Sequence, residues 1–167
     1  MTNLPRYFTH WILVTFIAFG AIWTNAARAE ADADKVKLIE AEAAGWSQNM
    51  EQLMSVFADD VTYVDTPLGS TFRGKEELRA FAQGFFNAFP DLKAVITSTV
   101  VSGDRAASEW RFTGTQVGDL AGMPASNKQM DLRGVSIYEF EGGKIKRKID
   151  YWDMATMLKQ LGFMPAK

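Results

Sequence analysis

The stretch F-A-D-D-V-T-Y-V-D-T-P-L-G-S-T-F-R-G, residues 57–74, decides the fold. A helical pattern ends at its start, a short strand follows, and that strand delivers Asp65 into a Thr-Pro-Leu-Gly turn. Because alternate strand residues share a face, Tyr63 and Asp65 lie on the same side. Desolvation beside an aromatic ring raises the pKa of a carboxyl group, which makes Asp65 a candidate general base. The alternative is that Asp65 only supports the turn, as Asp often does near Pro or Gly.

The composition is that of a single globular domain. The chain has 167 residues, 47% of them hydrophobic, and a net charge of −2. Acids and bases are mixed along the chain, so we expect no nucleic-acid partner, which would select a strongly basic face. The run K-I-K-R-K, residues 144–148, is the basic cluster of the sequence. Its alternation with isoleucine predicts the solvated face of a strand.

The first 29 residues have the layout of a secretory signal peptide. Arg6 precedes an apolar run at residues 11–23, and Ala-Arg-Ala at 27–29 is a small-x-small cleavage pattern. The sequence therefore predicts a leader at 1–29, a domain at 30–167, and an exported protein, periplasmic or secreted. The alternative is an uncleaved membrane anchor through residues 8–23, although the apolar run is shorter than the about 20 residues that a spanning helix needs.

Two missing residue types limit the chemistry. The chain has no cysteine, and its one histidine, His10, lies in the predicted leader. Catalysis by Ser-His-Asp or Cys-His is thereby excluded from the domain, as is a zinc site built on imidazole or thiolate. No nucleotide-binding glycine motif and no calcium-loop motif occurs, so we infer no cofactor and no metal. Any reaction must use carboxylates, Tyr, Arg, Lys or Ser.

The residue pattern predicts an α+β fold. Helices are expected at 31–57 (with a break near 45–47), at 75–89 and at 154–161, from apolar residues at helical spacing. Strands are expected at 93–101, 105–115, 129–141 and 144–152, joined in two hairpins by Ser-Gly-Asp and Gly-Gly turns. Helices followed by such strands indicate an antiparallel sheet with helices on one face.

Alternation along these strands predicts which side chains face the helices. Trp110 lies on that face of the second strand, and Ser136 on the apolar face of the third. In the last strand Ile145, Ile149 and Tyr151 are expected together on the inward side. The opposite face is expected to carry the charged side chains Glu109, Arg111, Asp131 and Arg133.

A sheet covered by helices often encloses an apolar cleft with a few polar groups. Core packing explains its aromatic residues equally well, and Ser136 can be a satisfied core serine. The candidate cleft residues besides Asp65 are Trp46, Tyr63, Phe85, Trp110, Gln116, Ser136, Tyr138 and Tyr151.

Three motifs carry a family resemblance. W-R-F-T-G-T-Q (110–116), G-V-S-I-Y-E-F-E-G-G-K-I (134–145) and Y-W-D (151–153), together with the element order, resemble the SnoaL-like polyketide cyclase and ester cyclase family. That family belongs to the nuclear transport factor 2-like superfamily, and the resemblance spans about residues 35–165. It implies a cone-shaped fold, in which a curved, mostly antiparallel sheet is wrapped by N-terminal helices around an apolar pocket for a hydrophobic small molecule. It also implies a homodimer through the sheet.

The opening stretch is similar to the ketosteroid isomerase branch of that superfamily. That similarity implies that Asp65 is the base that moves a proton next to a carbonyl group. The other site residues of those isomerases are changed: their oxyanion-binding tyrosine falls at Ala41, and their protonated aspartate at Ser136. Gln116 stands where many relatives have histidine. Loss of preorganised donors matters, because they supply a large share of such catalysis.

Three hypotheses follow. In the first, the protein is an isomerase- or cyclase-type enzyme in which Asp65 takes a proton next to a carbonyl group of a hydrophobic substrate. In the second, it binds an apolar small molecule without altering it. In the third, it is an interaction module that pairs with itself or a partner through its charged outer sheet face.

Overall fold

The computed structural model describes the backbone of residues 9–165 and the side chains of residues 27–165. The chain divides into two units, Met1–Asp34 and Lys35–Lys167. The predicted leader, its alternative as an anchor through residues 8–23, and His10 lie mostly outside the described side chains. They therefore stay predictions. Within the described part of the chain, no helix is both long and apolar enough to span a membrane.

The described residues contain four helices and six strands. In chain order they are α1 (Thr9–Trp46), α2 (Met50–Val56), β1 (Phe57–Asp65), β2 (Ser70–Arg73), α3 (Gly74–Ala88), β3 (Lys93–Ser102), β4 (Arg105–Thr115), β5 (Gln129–Glu141), β6 (Lys144–Trp152) and α4 (Met154–Leu161). The predicted α+β class is confirmed. The predicted break is also present, since α1 ends at Trp46 and α2 begins at Met50. Gly45 lets the two helices approach closely, because a Cβ atom there would lie 2.5 Å from the Leu53 Cα atom of α2.

The six strands form one mixed sheet in the order β2-β1-β6-β5-β4-β3. All neighbours are antiparallel except β1 and β6, which run parallel. The sequence pattern missed β2, and it assigned Phe57 to the end of a helix, where the structure begins β1. Because β1 and β6 run parallel, their C-terminal ends lie side by side. Asp65 is the direct partner of Asp150 there.

The core lies between the inner sheet face and the helices. Helix α3 buries Leu78, Ala82 and Phe86 on one face, at helical spacing. On the sheet, Trp110 of β4 and Ser136 of β5 are buried, which confirms the inward faces predicted for these two strands. The charged residues predicted for the outer face are exposed, and Arg111 donates two hydrogen bonds to Asp131, of 2.7 and 2.5 Å.

A β-bulge changes the face that β6 presents to the core. Phe140 pairs with Ile145, but Glu139 pairs with Arg147, so that Lys146 is an extra residue on β6. One extra residue reverses the alternation of every side chain after it. Ile145 therefore points inward, and beyond the bulge Lys148 and Asp150 are the buried residues.

The predictions for Lys148, Ile149 and Tyr151 are wrong for this reason, and Ile149 lies with Tyr151 on the outer side of β6. Lys148 was expected on a solvated face, but it is 2% exposed. Tyr151 was expected on the inward face with Ile145, but it lies on the outer face and is 47% exposed. The alternation rule fails at this strand because a bulge leaves no clear mark in the residue pattern.

Candidate functional site

Asp65 lies buried at the end of β1, where the chain turns toward β2. Its Oδ1 atom accepts a hydrogen bond of 3.0 Å from the backbone N–H of Leu68, and its Oδ2 atom accepts one of 3.2 Å from the indole Nε1–H of Trp152. Burial raises the pKa of the Asp65 carboxyl, these two donors lower it in part, and the nearby Asp150 adds to the rise. Asp65 thus supports the turn and is also a desolvated acid.

Asp150 is the partner of Asp65 on β6, and other polar side chains hold it. Its Oδ2 atom accepts a hydrogen bond from the Tyr63 hydroxyl, and its Oδ1 atom accepts one of 2.5 Å from the Ser136 hydroxyl. Ser136 in turn accepts a hydrogen bond of 2.8 Å from the Trp110 indole Nε1–H. The Asp150 carboxylate is therefore fixed in orientation by two hydroxyl groups.

The two carboxylates Glu42 and Asp150 enclose the ammonium group of Lys148, and these three residues form the buried ionic cluster. The Lys148 Nζ atom lies 2.8 Å from Glu42 Oε1 and 3.3 Å from Asp150 Oδ1. Glu42, on α1, also accepts hydrogen bonds from Trp46 Nε1–H at 2.6 Å and from the Tyr138 hydroxyl at 3.2 Å. The cluster therefore links α1 to the inner face of β6.

The charges of the cluster determine how its neighbours ionise. Burial alone lowers the pKa of Lys148, but the carboxylates of Asp150 and Glu42 outweigh it and the pKa lies well above its ordinary value. Burial, and then the charge of Asp150, raise the pKa of Tyr63 well above its usual range. Burial, and then Glu42, also raise the pKa of Tyr138. Lys148 is thus held as a cation, and both phenols keep their protons.

Asp65 and Asp150 open onto a small, mostly aromatic cavity of about 30 Å³. We call it the inner cavity. Its rings come from α1, β1, α3, β4 and β6, namely Trp46, Tyr63, Phe81, Phe85, Trp110, Phe112 and Trp152. A volume of this size holds about two water molecules. A larger ligand must therefore displace some of these rings to reach the carboxyl groups.

The structure brings most of the predicted site residues together. Trp46, Tyr63, Phe85 and Trp110 line the inner cavity with Asp65. Ser136 and Tyr138 lie behind its wall, where they bind the carboxylates of Asp150 and Glu42.

Two predicted residues lie elsewhere. Gln116 is fully buried next to the loop that follows β4, and its Nε2 atom donates a hydrogen bond of 3.4 Å to the carbonyl oxygen of Met123. Its side chain does not line the inner cavity. Tyr151 lies on the outer sheet face, as described above.

The buried ionic cluster was missed by the sequence pattern. Lys148 and Asp150 were hidden by the bulge in β6. Glu42 left a signal that could have found it, because it is an acid on the apolar stripe of α1, between Ile39 and Trp46. A buried acid needs a partner, so its position predicts a buried cation or donor opposite α1.

The arrangement is suited to proton transfer. It contains one carboxyl group with a raised pKa, a second one fixed by hydroxyl donors, and a mostly aromatic wall around both. Among the described residues, no group of three or more Asp, Glu, His or Cys side chains is placed to hold a metal ion.

Comparisons with solved structures agree with this architecture. TsrD from Streptomyces laurentii aligns with a TM-score of 0.72 at 26% identity, over 79% of this chain and 97% of that one. A candidate SnoaL-like polyketide cyclase from Jannaschia sp. CCS1 aligns with a TM-score of 0.72 at 19% identity, over 80% and 95%. A protein with a ketosteroid isomerase-like fold from Catenulispora acidiphila DSM 44928 aligns with a TM-score of 0.66 at 25% identity, over 75% and 92%.

A comparison with curated proteins finds no match. The profile described as SnoaL-like polyketide cyclase, in contrast, matches residues 37–161, which include Glu42, Asp65, Lys148 and Asp150. The resemblance seen in the sequence motifs is thereby confirmed. This chain belongs to the SnoaL-like polyketide cyclase family.

Proposed function

We propose that this protein is an acid–base enzyme of the cyclase or isomerase type, in which Asp65 moves a proton next to a carbonyl group of a hydrophobic substrate. One observation carries the proposal. A carboxyl group whose pKa is raised by burial lies at the wall of an aromatic cavity, beside a second carboxylate. Membership of the SnoaL-like polyketide cyclase family supports the same reaction class.

The reaction begins with the ionised form of Asp65. Its carboxylate takes a proton from the carbon next to the carbonyl group, the C–H electron pair becomes the new C=C bond, and the carbonyl oxygen becomes an enolate oxygen. In an isomerase, the neutral Asp65 returns this proton to another carbon of the enolate. In a cyclase, the enolate carbon attacks a second carbonyl carbon of the same molecule, and Asp65 protonates the resulting alkoxide. In both cases Asp65 ends in its starting form.

Hydrogen bonding favours Asp65 over Asp150 as the base. Asp150 accepts from Tyr63 and Ser136 and lies 3.3 Å from the Lys148 ammonium group, so its lone pairs are largely committed. The Oδ2 atom of Asp65 accepts only a 3.2 Å hydrogen bond from the half-buried Trp152. The negative charge of Asp150 next to Asp65 favours proton uptake by Asp65.

The donor for the enolate oxygen differs from the ketosteroid isomerase pattern. Ser136, at the position of the missing aspartate, donates its hydroxyl to Asp150. Tyr63 is the hydroxyl-bearing residue of the inner cavity wall, and its raised pKa keeps it protonated. Its one hydroxyl proton is donated to Asp150, so Tyr63 acts as donor to the enolate oxygen only by giving up that hydrogen bond.

The test is deuterium exchange into the methyl group of a simple methyl ketone, followed by NMR in heavy water. The wild-type chain is expected to exchange these protons faster than buffer, and Asp65→Asn is expected to lose about 100-fold or more of that rate. Asp60→Asn is the matched control, because Asp60 is an exposed carboxylate on the same strand. An Asp65→Asn variant that exchanges as fast as the wild type contradicts the proposal.

A second candidate function is binding without chemistry. It is favoured by the fact that the indole N–H groups of Trp46, Trp110 and Trp152 already have partners within the chain. A cavity whose donors are all occupied offers little to a developing enolate. Saturable ligand binding without any deuterium exchange would identify this function.

Export and a homodimer through the outer sheet face are further parts of the proposal. The dimer is supported by exposed apolar side chains on that face, including the register partners Val135 and Tyr151 and the nearby Val95. Light scattering of the wild type and of a Val135→Asp/Tyr151→Asp variant tests it. We expect a dimer for the wild type and a monomer for the variant, and a monomeric wild type contradicts it.

A further inference from the structure

A second apolar space lies next to the inner cavity. It has a volume of about 210 Å³, and we call it the outer chamber. The residues that line it alone are Leu68, Ala80, Gly84, Leu120, Ala121 and Met123. The residues that line both it and the inner cavity are Phe81, Phe85, Trp152 and Met157. None of these ten side chains carries a charge.

The shared side chains connect the outer chamber to the candidate base. Trp152 lines both spaces, and its indole Nε1–H donates the hydrogen bond to Asp65. A ligand that fills the outer chamber therefore touches a side chain bonded to Asp65. The inner cavity holds about two water molecules, so the larger part of any ligand must lie in the outer chamber.

Two small residues of α3, Ala80 and Gly84, leave space for the outer chamber. Ala80 and Gly84 are four residues apart, so they lie on one face of this helix. A Cβ atom built at Gly84 would meet no atom within 4 Å. Gly84 therefore faces open space, and a larger side chain there would take up part of the chamber that Gly84 lines.

We propose that the outer chamber is the binding subsite for an uncharged, apolar body of the substrate, and that Gly84 determines how large that body can be. This inference rests on the proposed function, because the carbonyl end of the same molecule must reach Asp65 past Phe81, Phe85 and Trp152. The two spaces together are smaller than the about 300–1,000 Å³ of common small-molecule sites. The body that fits is therefore about one or two rings in size.

The test compares two methyl ketones that share the reacting group. 2-Acetylnaphthalene has a two-ring apolar body, whereas acetone has none. The full-length wild type is expected to bind 2-acetylnaphthalene saturably in calorimetry. Gly84→Leu is expected to weaken that binding about tenfold or more, whereas Gly84→Ala changes it by less than about threefold. Acetone exchange in heavy water is expected to be the same in the wild type and in Gln83→Leu, whose added side chain lies outside the chamber.

Two further variants guard against indirect effects. Gln83→Leu adds the same side chain at an exposed position of α3 outside the chamber, and it should bind 2-acetylnaphthalene as the wild type does. Ala80→Leu adds a leucine side chain at an exposed position that lines the chamber, so the core is not overpacked. This variant should also weaken binding of 2-acetylnaphthalene. Circular dichroism checks that each variant is folded.

The outcomes separate this inference from the proposed function. Unchanged binding in Gly84→Leu and Ala80→Leu, or no saturable binding by the wild type, overturns the subsite. If Asp65→Asn still loses acetone exchange in that case, the proposed function stands. If binding weakens as expected but the wild type exchanges neither ketone faster than buffer, the subsite stands and the proposed function falls.

Discussion

Asp65 and Asp150 are direct partners across the parallel pair of β1 and β6, and both side chains line the same cavity. Neighbouring strands are about 4.8 Å apart, and the charge of Asp150 adds to the rise in the pKa of Asp65 that burial causes. Their surroundings differ, because Asp150 has Lys148, Tyr63 and Ser136 as partners, while Asp65 has a backbone N–H group and an indole. The pair thus separates into a compensated carboxylate and a desolvated acid, which is the division of roles that acid–base catalysis uses.

The raised pKa of Asp65 should make the free energy of unfolding depend on pH. The folded state binds the Asp65 proton more tightly than the unfolded chain, so the stabilisation from this proton is full below the ordinary pKa of about 3.9. It is lost as the pH rises through the raised pKa of the folded state. We therefore expect Asp65→Asn to unfold at higher urea concentration than the wild type at pH 7, with a difference that shrinks toward pH 4.

Asp60→Asn is the control with the opposite sign. Lys146 lowers the pKa of Asp60, so its carboxylate stabilises the fold above the ordinary pKa and that contribution is lost as the pH falls. This variant should be slightly less stable than the wild type at pH 7. An Asp65→Asn variant that is less stable than the wild type at every pH would contradict the desolvated environment of Asp65.

Lys148 and Lys146 offer a matched pair two residues apart on β6. Lys148→Met leaves Glu42 and Asp150 buried without their cation, and we expect it to lower the free energy of unfolding by about 3–5 kcal/mol. Lys146→Met removes a partly exposed partner of Asp60 and should have a small effect. Urea denaturation measures both, and equal effects would refute the role of the buried ionic cluster.

A double variant separates the charge of Lys148 from its packing. Lys148→Met leaves two carboxylates in the cluster without a cation, and Lys148→Met/Glu42→Gln leaves one. We expect this protein to be more stable than the sum of the two single changes predicts, because residues in one buried network are coupled. Additive losses in urea denaturation would indicate that Lys148 acts through packing alone.

Gly134 makes room for the Trp110 ring. The two residues are partners across β4 and β5, and a Cβ atom at Gly134 would lie 2.2 Å from Trp110 Cζ2. Gly134→Ala must therefore push the indole from its place and disturb its hydrogen bond to Ser136. We expect a loss of about 1–3 kcal/mol in the free energy of unfolding.

Gly84→Ala is the control for Gly134→Ala. It lies in α3, where the added methyl group meets open space, and Ala is the better helix former. We expect a gain of up to about 1 kcal/mol, measured in the same urea experiment. A loss at Gly84 as large as the loss at Gly134 would mean that the close contact with Trp110 is not the cause.

Asp150 should influence the ionisation of Asp65 directly. Because the charge of Asp150 raises the pKa of Asp65, Asp150→Asn is expected to lower it, as followed by carbon NMR of the side-chain carboxyl group. Asp131→Asn, a change of the same kind on the exposed outer face, should leave it where it is in the wild type. A rise on Asp150→Asn would mean that the two groups do not repel each other.

Much of the fold follows from local pattern. Helices α3 and α4 and the strands β3–β6 lie where apolar periodicity and glycine turns place them, since each of these signals is contained in a few neighbouring residues. Asp65 was predicted as a candidate in the same way, from a strand that ends at a Thr-Pro-Leu-Gly turn. Its neighbour on the sheet, Asp150, was not predicted, because the pairing of β1 with β6 joins residues more than 80 positions apart.

The buried ionic cluster could not be predicted from alternation. Ile145 and Ile149 have the spacing of a regular strand face, and only the extra residue Lys146 turns Lys148 and Asp150 inward. A bulge is stabilised by contacts of the bulged strand with its partner strand and with the core. The information therefore lies in tertiary contacts, among them the opposing carboxylate of Glu42.

The pKa of Asp65 shows most directly whether this residue is the base of a desolvated site. It is measured by carbon NMR titration of the side-chain carboxyl groups in the full chain, with Asp65→Asn to assign the signal. We expect a pKa clearly above the ordinary value of about 3.9. A pKa at or below that value would contradict this expectation, because Asp65 would then be a solvated turn residue or an ion-pair partner and not the base of a desolvated site.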